Sequence, residues 1–265
     1  MNQHKIWESV VGIDPIVATA IHNGHLVRKE VEELMALKET DRFQEEDPFT
    51  GEWTTVGSTR IIGIRSRFEV DLNRQRDKAV YINPEDAWEI RVWKTSPSQE
   101  IIDASLAEYD AFYSENRRIF RVLEQKFKRF VVFDLHSNCF RRNGCDDLIA
   151  DLELQPVVNI VTGIINRFLW APLVDRFIND LSSYDFQGCS LDVRKNITYK
   201  DGWFSRWIHQ TFQESGCCLS IEFENFFMDG WTGIPAKKQV EDIQLALQST
   251  VPGMYEELDR LGAKW

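Results

Sequence analysis

No stretch of this 265-residue sequence approaches the roughly 18 consecutive apolar residues of a membrane span, and residues 1–9 are polar and mixed in charge, without an apolar targeting segment. Clustered positive charge is also missing. Lys and Arg number 31 against 42 Asp and Glu, a balance of −11, with no long basic run and no basic helix face. Counterion release on nucleic acid needs such clusters, and so does a cationic helix lying on a bilayer, so neither partner is expected. Cysteine is sparse and unpaired in spacing: Cys139, Cys145, Cys189, Cys217 and Cys218 include no CxxC, which argues against a zinc ribbon or redox pair and for free thiols. Repeats, low-complexity tracts and Gly/Ser or Pro-rich linkers are absent, so one domain spanning 1–265 is expected, soluble and cytoplasmic. A chain of this length buries roughly 70–75% of its unfolded surface, so a metal would be present for chemistry and not merely to hold the fold.

What is present is alternation. Short β-prone apolar runs occur at 15–21 (PIVATAI), 59–70 (TRIIGIRSRFEV), 129–135 (RFVVFDL), 156–162 (PVVNIVT), 189–193 and 217–223 (CCLSIEF). Helical spacing marks 28–39, 98–128, 171–181, 201–213 and 236 to the end, and Ser98-Gln99-Glu100-Ile101 has the form of a helix cap. Strands interleaved with helices predict an α/β fold with a mostly parallel, mixed central sheet and helices on both faces. Ligand sites in such sheets lie beyond the carboxyl ends of the strands. The polar residues that end strands are therefore the informative ones: His22, Asp71, His136 and Glu222.

Taken singly, each has a plain structural alternative. A histidine closing a strand is often only hydrogen-bonded, but two strands ending in His22 and His136, with His25 three positions on, point together to a metal site. A catalytic zinc takes about three N or O ligands and keeps one position open. The third ligand can come from His25 or from the acidic cluster Glu45-Glu46-Asp47, which otherwise reads as solvated loop. Asp134 lies two residues before His136 and suits orientation of an imidazole. Glu222 stands in an apolar strand, where burial raises a carboxylate toward the working range of a general base; an exposed edge strand would leave it in water. Arg67, Asn73 and Arg74 flank Asp71, and a guanidinium beside an amide suits capture of a carboxylate and a carbonyl, with ion pairing to Asp71 as the alternative.

Taken in order, His22-Asn23-Gly24, Glu46-Asp47-Pro48-Phe49, Ser66-Arg67 with Val70-Asp71-Leu72-Asn73-Arg74, Asp134-Leu135-His136-Ser137, and Ile221-Glu222 with Met228-Asp229 resemble the N-formylglutamate amidohydrolase family, itself similar to zinc carboxypeptidases and aspartoacylases. The resemblance implies zinc held by His22 and His136, Glu222 as the base, and Asn73 and Arg74 on the substrate's carboxylate and carbonyl. Asn196, in the stretch that runs to Gly202, matches the family's segment beside the substrate pocket. The third ligand stays open between Asp47 and His25; Asp47 is favoured because the amidohydrolases recurrently carry an acid there. Two departures stand out: Asn23 replaces the usual Ser, and His25 stands where the carboxypeptidase relatives have a glutamate ligand. The implied activity is zinc-dependent hydrolysis of a small N-acyl amino acid such as N-formylglutamate. A zinc carboxypeptidase or deacylase acting on a larger peptide or cell-wall fragment is the alternative, its cleft shaped by the 83–94 insert with Trp88 and Trp93. A third reading is a binding protein on a hydrolase fold that has lost activity.

Overall fold

The computed structural model describes residues 6–43, 45–138, 156–230 and 232–264. Its main sheet has seven strands in the order β1 (Trp7–Val10), β3 (Thr59–Gly63), β2 (Ile16–Ala20), β4 (Phe130–Asn138), β9 (Gly216–Glu224), β5 (Val158–Val161) and β8 (Val193–Lys195). β2 runs parallel to β3 and β4, β4 parallel to β9, and β5 parallel to β8; β1 is antiparallel to β3, and β5 is antiparallel to β9. The sheet is thus mixed and mostly parallel, as the alternation predicts. β6 (Asp185–Phe186) and β7 (Cys189–Ser190) form a separate hairpin. Cys189 is exposed while Cys217 and Cys218 are buried, all three as free thiols; Cys139 and Cys145 lie outside the described residues.

Period-two alternation in the central strands sorts their side chains between two helical layers. Val131, Phe133 and Leu135 of β4 join Leu219 and Ile221 of β9 against α5 (Arg167–Ser182) and α7 (Lys237–Arg260). Phe130 and Val132 join Val17 and Cys218 against α4 (Gln99–Phe127) and α6 (Trp203–Thr211). A strand covered on both faces has to be apolar nearly throughout, which explains RFVVFDL. Each fully buried Phe in these layers contributes about 1.5–3 kcal/mol relative to an exposed one. α4 is a single 29-residue helix whose cap is as the sequence reads, with Ser98 Oγ accepting the Ile101 N–H at 3.4 Å.

On the α4/α6 side the sheet changes character along its length. Above Phe130 and Val132 sits a polar layer in register, Thr19 beside Asp134 beside Ser220. Both hydroxyls donate to Asp134, at 2.7 and 3.2 Å. The next layer pairs His136 with Glu222. The apolar core therefore ends where the candidate site begins.

Two sequence expectations are corrected. The helix expected at 28–39 is only α1 (Lys29–Glu32), with α2 (Glu39–Phe43) starting at its far end, because the chain between them turns to bond a distant segment: Ala36 N–H donates to Val92 O at 2.7 Å and Lys94 N–H to Leu34 O at 2.8 Å. Val31 and Met35 bury themselves with Val92 and Trp93, a non-local cluster that outweighs helix propensity. The extended segment expected at 59–70 ends at Gly63, after which a turn closes with Glu69 and Val70 N–H groups on Ser66 O. That turn carries Arg67 toward the sheet's carboxyl edge.

Candidate metal centre

His22 follows β2 in a tight turn. A Cβ at Gly24 would lie 2.1 Å from the Ile64 carbonyl carbon, so only glycine lets the two backbones meet. Asn23 Oδ1 accepts the Gly51 N–H at 2.9 Å and thereby ties this turn to α3 (Thr50–Trp53). Asp47 comes from the loop before α3 and has φ 33°, in the left-handed region, as has Phe49 at φ 69°. Non-glycine residues in that region carry a conformational cost, and such costs concentrate at functional sites. Thr50 Oγ donates to Asp47 O at 2.7 Å and helps hold the loop.

These elements bring His22, Asp47 and His136, all buried, into one cluster whose ligand atoms lie within 4.8 Å of one another. Asp47 Oδ2 lies 2.8 Å from His136 Nδ1 and 3.3 Å from His22 Nδ1. The opposite ring nitrogens are taken by carboxylates: His22 Nε2 by Asp71 at 2.7 Å, and His136 Nε2 by Asp134 at 2.9 Å. Each imidazole is thus turned so that Nδ1 faces Asp47, and His22 Nδ1 is buried without a hydrogen-bond partner among the described residues. Two inward nitrogens, one carboxylate and outer carboxylates that fix the rings make a donor set suited to a divalent metal of the zinc type. His25 stands outside this cluster. Its Nδ1 meets Glu46 Oε2 at 2.8 Å, and Glu46 is held in turn by Arg42 and Ser66, so of the two readings for a third ligand the geometry favours Asp47.

The electrostatics favour a cation. Asp47, Asp71, Asp134 and Glu222 surround two imidazoles and the Arg67 guanidinium. Burial opposes ionisation of Asp47, but the His136 and His22 rings hold its carboxyl well below the usual carboxylate range. Asp71 is likewise held well below its ordinary value, against burial, by Arg67, His22 and Tyr81. Burial disfavours the charged form of His136, yet the Asp134 and Glu222 carboxylates raise its pKa well above the ordinary value. Glu222 is pushed up to about 7 by burial and by the neighbouring Asp47 and Asp134, against the pull of the two imidazoles. β9 is an interior strand, so the edge-strand alternative for Glu222 does not apply.

A cavity of about 530 Å³ opens over the cluster, with Arg67, Asn73, Arg74 and Glu222 on its walls. The three substrate candidates of the 67–74 segment are held very differently. Arg67 Nη2 bonds Asp71 Oδ2 at 3.0 Å, so much of its guanidinium is committed to the site's own carboxylates. Asn73 caps α6: its Oδ1 accepts the Phe204 N–H at 2.9 Å and its carbonyl the Trp203 N–H at 3.3 Å. With Oδ1 fixed as acceptor, the Asn73 amide turns its NH2 group toward other partners. Gly202 leaves room for it, since a Cβ there would come within 3.0 Å of Asn73 Oδ1. Arg74 is the loosest, 3.9 Å from Asp71.

Asn196 is placed elsewhere. It follows β8 with φ 58°, accepts the Thr162 N–H on Oδ1 at 3.0 Å and donates from Nδ2 to Thr162 Oγ at 3.0 Å. Its amide is spent on this clip, and from this stretch Tyr199, Asp201 and Gly202 line the cavity instead. Sequence reasoning passed over other residues. From sequence Asp71 is a partner for arginine; the structure makes it also the acid that fixes His22, for which its place in Asp71-Leu72-Asn73-Arg74 is a usable signal. Tyr81, whose hydroxyl donates to Asp71, and Trp203 and Arg206 of α6, which line the cavity, carried no local signal.

Comparison with known proteins bears on the fold and the family. No curated protein matches the chain significantly. Among solved structures, N-formylglutamate amidohydrolase from Ralstonia eutropha JMP134 superposes with a TM-score of 0.73 at 14% identity, over 97% of this chain and 99% of that one. A gene product from Agrobacterium tumefaciens superposes with a TM-score of 0.67 at 14% identity, over 95% of this chain and 96% of that one. At such identities the likeness establishes the fold. The family model for N-formylglutamate amidohydrolase matches residues 14–227 and so spans the strands and turns that carry His22, Asp47, the 67–74 segment, His136 and Glu222. By that match the chain belongs to the N-formylglutamate amidohydrolase family.

Proposed function

We propose that this amidohydrolase-family chain is a zinc-dependent enzyme that cleaves the amide bond of a small N-acyl amino acid, with N-formylglutamate as the default substrate. The observation that carries the reading is the buried His22–Asp47–His136 cluster, with both Nδ1 atoms aimed at Asp47, on the floor of a cavity lined by arginines. Zinc held by these three residues would polarise the scissile carbonyl and lower the pKa of a water toward ~7. Asp71 and Asp134 keep the two rings in the orientation that exposes Nδ1. Glu222, across from His136 in the β4–β9 register, takes a proton from the attacking water and returns it to the leaving amine. Arg74 grips the substrate's carboxylate and the Asn73 amide donates to a neighbouring oxygen, so that one carbonyl is presented to the His22–Asp47–His136 cluster.

Metal analysis of purified protein after zinc addition, followed by a screen of N-acyl amino acids, tests the reading directly. About one zinc per chain is expected, lost together with activity on chelation. Absence of binding would reject it. One observation favours a second reading: about 530 Å³ falls in the ~300–1,000 Å³ range of pockets for drug-sized ligands, roomy for a formyl amino acid and suited to a larger acyl or peptidyl group. Rates rising steeply from formyl to longer acyl substrates would select that alternative.

A further inference from the structure

Arg74 presents a physical puzzle. A guanidinium that is to capture a carboxylate has to be aimed without its N–H donors being consumed, yet the only acid within 4 Å of it among the described residues is Asp71, at 3.9 Å. Asp71 is already saturated. Its Oδ1 meets His22 Nε2 at 2.7 Å and the Asn73 N–H at 2.7 Å, while its Oδ2 takes Arg67 at 3.0 Å and the Tyr81 hydroxyl. What flanks Arg74 instead is aromatic: its guanidinium carbon lies 5.8 Å from the Tyr81 ring centroid and 5.6 Å from that of Trp88. Attraction to a ring face holds a guanidinium while leaving its N–H edge open.

The chain gives up backbone comfort to put Trp88 there. Trp88 (φ 52°, ψ 43°) and Glu89 (φ 68°) are successive non-glycine residues in the left-handed region. The 84–89 turn is locked by reciprocal bonds between Asn83 and Asp86, by Glu89 N–H on Pro84 O at 2.8 Å, and by buried Ala87. The Trp88 ring then meets Tyr81 edge-on at 6.0 Å and lies 4.9 Å from the Arg67 guanidinium. Arg67 keeps its place through Asp71 with or without that ring. Among the described residues the Arg74 side chain has no comparable hydrogen bond.

We infer that Trp88 is a positioning residue that aims the Arg74 guanidinium at the substrate's carboxylate, so that the 84–89 turn sets the preference for N-acyl amino acids over neutral amides. The inference rests on the proposed amidase reading and deepens it by assigning the origin of carboxylate selectivity.

The test compares Trp88→Leu and Trp88→Phe on N-formyl-L-glutamate and on its neutral diamide, with zinc content and Tm measured on each protein. Trp88→Leu is expected to raise KM for N-formyl-L-glutamate roughly 3- to 30-fold, the span of a cation–π contact, with kcat within about twofold and the diamide unaffected. Trp88→Phe should recover most of the loss, since it restores a ring face. In an Arg74→Ala background, Trp88→Leu should add nothing further. Equal KM increases on both compounds, a fall in kcat alone, or full additivity with Arg74→Ala would overturn the inference. If Trp88→Leu loses zinc or its melting transition, Trp88→Gly, which suits the left-handed backbone, carries the same comparison. Calorimetric titration with L-glutamate separates the two levels of the argument. If the wild type turns over neither compound, the amidase reading fails, but weaker L-glutamate binding in the leucine variant with recovery in the phenylalanine variant would still support the role of Trp88. Equal binding in all three, or no binding by the wild type, would overturn it.

Discussion

His136 and His209 are both buried imidazoles close to β9, yet their surroundings push them in opposite directions. His209, on α6, accepts the Cys218 N–H on Nε2 at 2.9 Å, its Nδ1 has no hydrogen-bond partner among the described residues, and burial pushes it down to about 4. His136, beside the other end of the same strand, has Asp134, Asp47 and Glu222 about it and is pushed well above its ordinary value. Burial is common to both, and so is the residue type. The difference lies in the carboxylates: His209, which props up a strand, is shifted by burial alone against its one backbone bond, whereas His136 is ringed by acids. β9 itself makes the transition, from Cys218 against the aromatic layer to Glu222 on the cavity wall, four residues on and on the same face.

The largest effect should come from the acidic end. Glu222→Gln is expected to retain zinc, because Glu222 lies outside the His22–Asp47–His136 cluster, and to lower kcat by about 10²- to 10⁴-fold, the range of a lost general base. Unchanged turnover with full zinc would move the role to another residue. The apolar end should instead register in stability. His209 ionises near its ordinary value of 6.5 when unfolded and near about 4 when folded, so the unfolded chain binds the proton first. Its contribution is therefore complete above about pH 6.5 and is lost as pH falls toward about 4, reaching roughly 2–3 kcal/mol. Urea unfolding of wild type and His209→Gln at pH 7 and pH 4.5 isolates it, since glutamine still offers an acceptor to Cys218. A pH dependence identical in the two proteins would contradict the contrast. Smaller still is the ring-orienting acid: Asp134→Asn should weaken zinc binding about 10- to 100-fold while leaving the fold intact, measured by competition with a chelating dye. An unchanged affinity would mean that packing alone holds the ring.

Much of the site was legible in the sequence because its parts sit at strand ends. A histidine after PIVATAI and another after RFVVFDL can be placed at one edge of a parallel sheet from the alternation alone, and β2 and β4 are adjacent and parallel. Glu222 was legible as an acid in an apolar strand, although only the strand order shows that its strand is interior. The stretch from Asn196 to Gly202 does reach the cavity, through Tyr199, Asp201 and Gly202, whereas the Asn196 amide pairs with Thr162, a partner more than thirty residues away that no local pattern reveals. The 28–39 segment misled for a related reason. Its apolar spacing suits a helix, but Met35 and its neighbours find partners near Trp93, more than fifty residues away.

By itself the sequence determined the alternating architecture, the absence of a long apolar span or basic face, and the residue types at the strand ends. These follow from local periodicity and composition, which need no knowledge of the rest of the chain. Only the tertiary structure brought Asp47, and not His25, against the two histidines, gave Asp71 and Asp134 to the outer nitrogens, and set Trp88 over Arg74. Each of those choices depends on angstrom-scale distances between segments far apart in sequence. Such distances are set by how the sheet and its loops pack, which no local pattern encodes.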